Sequence, residues 1–122
     1  TETILVVEDE QAVRDLVERV LAAAGYDVHT AADGEEALRV CEQLGGAIRL
    51  LFTDVVMPGM SGRELAEQLI ESYPGMKALF MSGYTTNVIG HHGVLDEGVQ
   101  FIQKPFSTEA LATKVRDALD ST

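Results

Sequence analysis

The sequence predicts an α/β fold, a parallel sheet with helices on both faces. Three observations point there. Five short apolar runs alternate with amphipathic stretches along the chain. Most of the runs are apolar at successive positions, as strands buried on both faces are. No repeat, low-complexity tract or linker interrupts the 122 residues, so a single domain over 1–122 is expected.

The elements follow in order. "TILVV" (3–7) is a short β-branched run and predicts a buried strand. Val13, Leu16, Val17, Val20 and Leu21 then fall at the spacing of one helical face, and Gly25 stands where a helix-ending glycine belongs. "YDVHTA" (26–31) alternates as a second strand. Asp33 with Glu36 makes a start like a capping box, and Ala37, Cys41 and Leu44 mark the inner face of the helix that Gly45-Gly46 ends. "IRLLFT" (48–53) is the third strand and "PGMSG" a turn. Ser61 and Glu64 form a capping box for a third helix, with Leu65, Leu69 and Ile70 inward and Tyr73-Pro74-Gly75 as its stop. "KALFM" (77–81) and "VQFIQ" (99–103) are strands four and five. Ser107 caps a last helix whose Leu111, Val115 and Leu119 face inward. Between strands four and five, "TTNVIGHHGVLDEG" (85–98) carries three glycines, so the fourth of five predicted helices is the weakest, each interior glycine costing about 1 kcal/mol.

Strand–helix repeats with right-handed crossovers leave a doubly wound, five-stranded, flavodoxin-like sheet, strand order 2-1-3-4-5, with five helices. Half of a dinucleotide-binding fold is the runner-up. It needs a glycine-rich turn after the first strand, and Glu8-Asp9-Glu10 stands there instead, which would repel a pyrophosphate.

Composition narrows the function. Net charge is −11, and only nine residues are Lys or Arg, scattered along the chain. That excludes the basic footprint of a nucleic-acid binder and opposes anionic lipid. No apolar run is long enough for a bilayer and no signal peptide is visible, so neither membrane nor nucleic acid is an expected partner. The single cysteine, Cys41, excludes an internal disulfide and reads as core, and the cytoplasm is the natural compartment. Thr1 in place of methionine fits a piece cut from a longer protein or a processed chain.

Ligands of open parallel sheets bind beyond the carboxyl ends of the strands. Strand one ends in Glu8 and Asp9, strand three in Asp54, strand four in Ser82 and strand five in Lys104; strand two ends in nothing notable, as an edge strand can. Three carboxylates, a hydroxyl and an ammonium therefore meet on one rim. Carboxylates that close raise each other's pKa unless a cation joins them. Mg²⁺ suits so few carboxylates because it keeps several waters. Metal, lysine and hydroxyl together can hold a phosphoryl group in transfer, and a carboxylate oxygen can take it as an aspartyl-phosphate. Taken singly, Glu8, Asp9 and Glu10 also suit a solvated first turn favoured by the helix dipole, Ser82 a turn, and Lys104 the surface. Asp54, closing an apolar strand ahead of "VVMPG", is the hardest to explain that way.

The motifs "ILVVEDE", "LLFTDVVMPGMSG", "LFMSGY" and "FIQKPF" make the chain, from about residue 3 to 120, resemble a two-component response-regulator receiver domain. The resemblance implies roles. Asp54 matches the phosphoacceptor and Asp9 a direct Mg²⁺ ligand, with Glu8 acting largely through water and the Val56 main-chain carbonyl as a third ligand. Ser82 matches the switch hydroxyl, Lys104 the phosphoryl-contacting lysine, and Phe101 the aromatic whose rotamer follows phosphorylation. Phe101 serves equally as a core residue. A cis Lys104–Pro105 bond is implied. The partner would be a histidine kinase or a histidine phosphotransfer domain. Phosphorylation would switch the helix 4–strand 5–helix 5 face, through which a homodimer is also conceivable.

"GRELAEQL", the stretch from Met81 to Phe106 and "KVRDALD" look most like receivers of hybrid sensor histidine kinases. His91 and His92 fit exposed residues of the weak helix better than relay sites. Apolar Val56 and bulky Tyr84 are expected to shield an acyl phosphate. Two rival readings are a haloacid-dehalogenase-type phosphatase, which would want an aspartate where Val56 stands, and a pseudo-receiver that docks partners without taking phosphate. The receiver reading makes the chain a phosphoacceptor rather than an enzyme.

Overall fold

The computed structural model describes residues 2–82 and 100–120. The elements are β1 (Thr3–Val7), α1 (Gln11–Ala23), β2 (Asp27–Ala31), α2 (Gly34–Leu44), a 3₁₀ turn (Gly45–Ala47), β3 (Ile48–Asp54), α3 (Gly62–Ser72), β4 (Lys77–Ser82), β5 (Gln100–Gln103) and α4 (Thr108–Asp120). The sheet order is β2-β1-β3-β4-β5 with every pair parallel, as the alternation of strand and helix predicts. Four α-helices, not five, stand among the described residues. The weak helix expected in 85–98 lies outside them, as do Tyr84, His91 and His92.

Period two along the strands sorts the core into two layers. Ile4, Val6, Leu50, Phe52, Leu79, Met81 and Ile102 pack with Val17 and Leu21 of α1 and with Leu111 and Val115 of α4. Leu5, Val7, Leu51, Val55 and Phe80 pack on the other face with Ala37 and Cys41 of α2 and Leu65 and Leu69 of α3. Each of these large side chains contributes about 1.5–3 kcal/mol on burial.

Helix starts follow the sequence signals. Ser61 Oγ accepts from the Glu64 N–H at 3.1 Å while Glu64 Oε1 accepts from the Ser61 N–H at 3.2 Å. At α2, Asp33 accepts from the Glu36 N–H at 2.8 Å, but the Glu36 carboxylate reaches one residue further back, to the Ala32 N–H at 2.6 Å. Ser107 Oγ accepts from the Ala110 N–H at 3.0 Å. Gly25, just past α1, has φ +100°, which explains a glycine there.

Two inward assignments are corrected. Leu16 is 41% exposed and Ile70 37%. Each lies one residue, about 100° of helix turn, from the true centre of its buried stripe, Val17–Leu21 in α1 and Leu65–Leu69 in α3. Leu119 is half-buried and packs inward against the same core as expected, beside the fully buried Ala118.

Candidate functional site

The same period that fills the core builds the site. The row Ile4–Val6 continues one step beyond β1 into Glu8, Leu50–Phe52 into Asp54, and Ile102 beyond β5 into Lys104. The register pairs Val7 with Thr53, so Glu8 and Asp54 stand level. It pairs Asp54 with Met81 and Met81 with Ile102, so Lys104 stands two residues beyond them on the same face and its side chain reaches back to both.

The groups meet. Lys104 Nζ donates to Glu8 Oε2 at 2.7 Å and to Asp54 Oδ2 at 3.1 Å. Carboxylate oxygens of Glu8, Asp9 and Asp54 lie within 4.8 Å of one another. Asp54 is buried and Asp9 exposed, so the cluster opens to solvent on the Asp9 side. Ser82, buried, lies one residue past the β4 partner of Asp54, and its carbonyl accepts from the Lys104 N–H at 2.7 Å. The Lys104–Pro105 peptide is cis, as expected. Phe101 is half-buried against the α2–α3 layer.

Glu8 differs from the solvated first turn that its neighbours suggested. Its exposure is 0%. Its Oε1 accepts from the Glu10 N–H at 3.1 Å, and its main-chain carbonyl accepts from Arg14 Nη1 at 2.7 Å. Burial pushes the Glu8 carboxyl up to about 7, and the Asp54 charge adds to this; the bonds from Lys104 and the Glu10 N–H pull downward without cancelling it. Burial alone would lower the Lys104 amine, but Glu8 and Asp54 outweigh it and hold it above its ordinary value.

A stability profile follows. The unfolded chain releases the Glu8 proton near 4.5, whereas the folded chain keeps it to about 7. Between those values the folded state binds more protons, so metal-free protein loses stability as pH rises, by up to about 3 kcal/mol. Urea unfolding in chelator should show this fall, and Glu8→Gln should flatten it. A wild-type profile level across the window would refute the assignment.

The donor set fits a hard divalent cation. Three carboxylates against one ammonium leave an excess of negative charge, every donor is oxygen, and one side is open for waters. A hydrolase reading gains no support, because Val56, where such an enzyme wants a second carboxylate, is apolar and 51% exposed.

Pattern reasoning missed two residues that hold the Asp54 segment. Thr53, fully buried, donates from Oγ1 to the Asp54 carbonyl at 3.0 Å. Gly62 is not merely part of a turn: a Cβ there would lie 2.0 Å from the Asp54 carbonyl oxygen. A glycine at the first position of a capped helix, where no positive φ is needed, was the available signal for such a close approach.

The family model described as the response regulator receiver domain matches residues 4–116. The chain is 43% identical over 118 residues to the sensor kinase CckA of Brucella abortus (strain 2308), covering 97% of this chain and 12% of that protein. It is 32% identical over 122 residues to the aerobic respiration control protein ArcA of Escherichia coli (strain K12), covering 100% of this chain and 50% of that one. A crystal structure of the receiver domain from the hybrid histidine kinase CckA aligns with a TM-score of 0.75 at 41% identity, over 97% of this chain and 99% of that one. The chain therefore spans only a fraction of the length of these curated relatives. Among the described residues no helix is long and apolar enough to cross a membrane. With its motifs, sheet order and strand-end cluster in agreement with these matches, the chain belongs to the response regulator receiver domain family, the phosphoacceptor signalling modules of two-component systems.

Proposed function

We propose that Asp54 accepts a phosphoryl group from a phosphohistidine and that Glu8, Asp9, Ser82 and Lys104 serve this transfer. The observation that carries the reading is the convergence of three carboxylates and the Lys104 ammonium at one strand-end rim. An Asp54 carboxylate oxygen forms the new bond to phosphorus as the bond from phosphorus to the donor histidine nitrogen breaks. Asp9, Asp54 and the Val56 carbonyl would hold Mg²⁺, with Glu8 acting through water. Bound there, the ion would neutralise charge on the equatorial phosphoryl oxygens. Lys104 takes part of the same charge, and Ser82 supplies a hydroxyl donor from the end of β4.

The new group carries close to two negative charges at neutral pH. It draws Lys104 and Ser82 inward, and half-buried Phe101 on β5 follows. The face of β5 and α4 then changes, which makes it the output surface and a candidate homodimer contact. The likeness to CckA supports a place for residues 1–122 as one domain of a cytoplasmic hybrid kinase, with a histidine kinase core or phosphotransfer domain as partner.

Two measurements test this. With Mg²⁺ and acetyl phosphate the chain should gain one hydroxylamine-labile phosphoryl group, and it should bind beryllofluoride. Absence of both would favour the pseudo-receiver.

Val56 adds a third prediction. It stands half-exposed two residues past Asp54 and cannot orient water. Val56→Asn provides an amide that can, and dephosphorylation should accelerate about tenfold. A decay rate unchanged in Mg²⁺ would dismiss the shielding role.

A further inference from the structure

We propose that the Thr53 hydroxyl is a positioning group that aims the Asp54–Val56 main chain toward the metal and phosphoryl site. The proposal rests on the reading of Asp54 as acceptor. Thr53 sits at 0% exposure in the strand row Leu51–Thr53–Val55, whose other members are apolar. Valine has nearly the same shape and would fill this place without burying a hydroxyl. A buried hydroxyl is unfavourable unless its hydrogen bond returns something. Here the bond goes to the carbonyl of the next residue, Asp54, at 3.0 Å.

Three bonds then fasten two consecutive residues. The Asp54 carbonyl accepts from Thr53, the Val55 N–H donates to the Met81 carbonyl at 3.0 Å, and the Val55 carbonyl accepts from the Gly62 N–H at 2.9 Å. The Gly62 α-carbon crowds the same Asp54 carbonyl from above, so it has little room to swing. The peptide after Asp54 leads through Val55 to Val56, so turning it would displace both the base of the Asp54 side chain and the segment that carries the Val56 carbonyl. Without the Thr53 donor, the carbonyl loses this bond in a buried place, and the segment can relax by turning the peptide.

The test uses the full chain with Thr53→Val, Thr53→Ala and Thr53→Ser. Calorimetry gives Mg²⁺ affinity, and intact-mass kinetics with acetyl phosphate at saturating Mg²⁺ give the transfer rate. Thr53→Val and Thr53→Ala should each weaken Mg²⁺ binding and slow transfer about tenfold, as outer-shell losses do. Thr53→Ser should restore both. Thr53→Ala keeps the test decisive should the valine variant fail to fold, because it places no extra methyl against the Asp54 carbonyl. Affinity and rate within twofold of wild type, with or without lost stability, would overturn the proposal. So would a loss that serine leaves in place. If wild-type chain takes no phosphoryl group at all, the acceptor reading fails, and the Mg²⁺ affinities alone still decide the role of Thr53.

Discussion

Asp54→Asn is expected to abolish phosphoryl transfer to the chain, with a fall of at least about a thousandfold, as loss of a nucleophile produces. The amide matches the carboxyl in size, so the fold should persist. What disappears is the anionic oxygen proposed to attack phosphorus, and with it the negative charge of one of the two acceptors of the Lys104 ammonium. The lysine keeps its 2.7 Å bond to Glu8 and stays near the rim. The variant should therefore retain wild-type circular dichroism while gaining no mass from acetyl phosphate and Mg²⁺. Covalent label in folded Asp54→Asn would move the acceptor to another residue.

Gly62→Ala should have the largest effect on the fold. The added carbon would stand 2.0 Å from the Asp54 carbonyl oxygen, 2.9 Å from its carbon and 3.1 Å from the Val55 Cα. All three are backbone atoms of a central strand and its exit, so no side chain can swing aside. Either α3 shifts away, breaking the Gly62 N–H bond to Val55, or the Asp54–Val55 segment moves. A loss of about 3 kcal/mol or more is expected, with a fall in Tm on the order of 10 °C or more for a domain of this size. Gly75→Ala is the control. A Cβ there meets nothing within 4 Å, and stability should stay within about 0.5 kcal/mol. Thermal unfolding of the two variants side by side decides the matter, and equal Tm values would show that the loop absorbs the methyl.

The site was legible in outline because parallel strands deliver their last residues to one edge. Knowing where each apolar run stops is then enough to name Glu8, Asp9, Asp54, Ser82 and Lys104 as neighbours. Less legible was what each would do there. Glu8 is the first of three consecutive acidic residues and resembles a solvated turn, yet it is buried and bonded to Lys104, 96 positions away. Leu16 and Ile70 carried the right residue type for an inner face, but neighbouring residues held the centre of each stripe.

By itself the amino-acid order determined the strands and helix caps, which depend on local periodicity and short-range hydrogen bonding. Through the handedness of crossovers in a parallel sheet it also determined the sheet topology and the membership of the rim. Only the tertiary structure decided the Lys104 bridge between two carboxylates, the Thr53 bond beneath Asp54 and the passage of Gly62 over its carbonyl. Those contacts depend on ångström-scale approach between segments brought together by packing, and hydrophobic spacing carries no record of such distances.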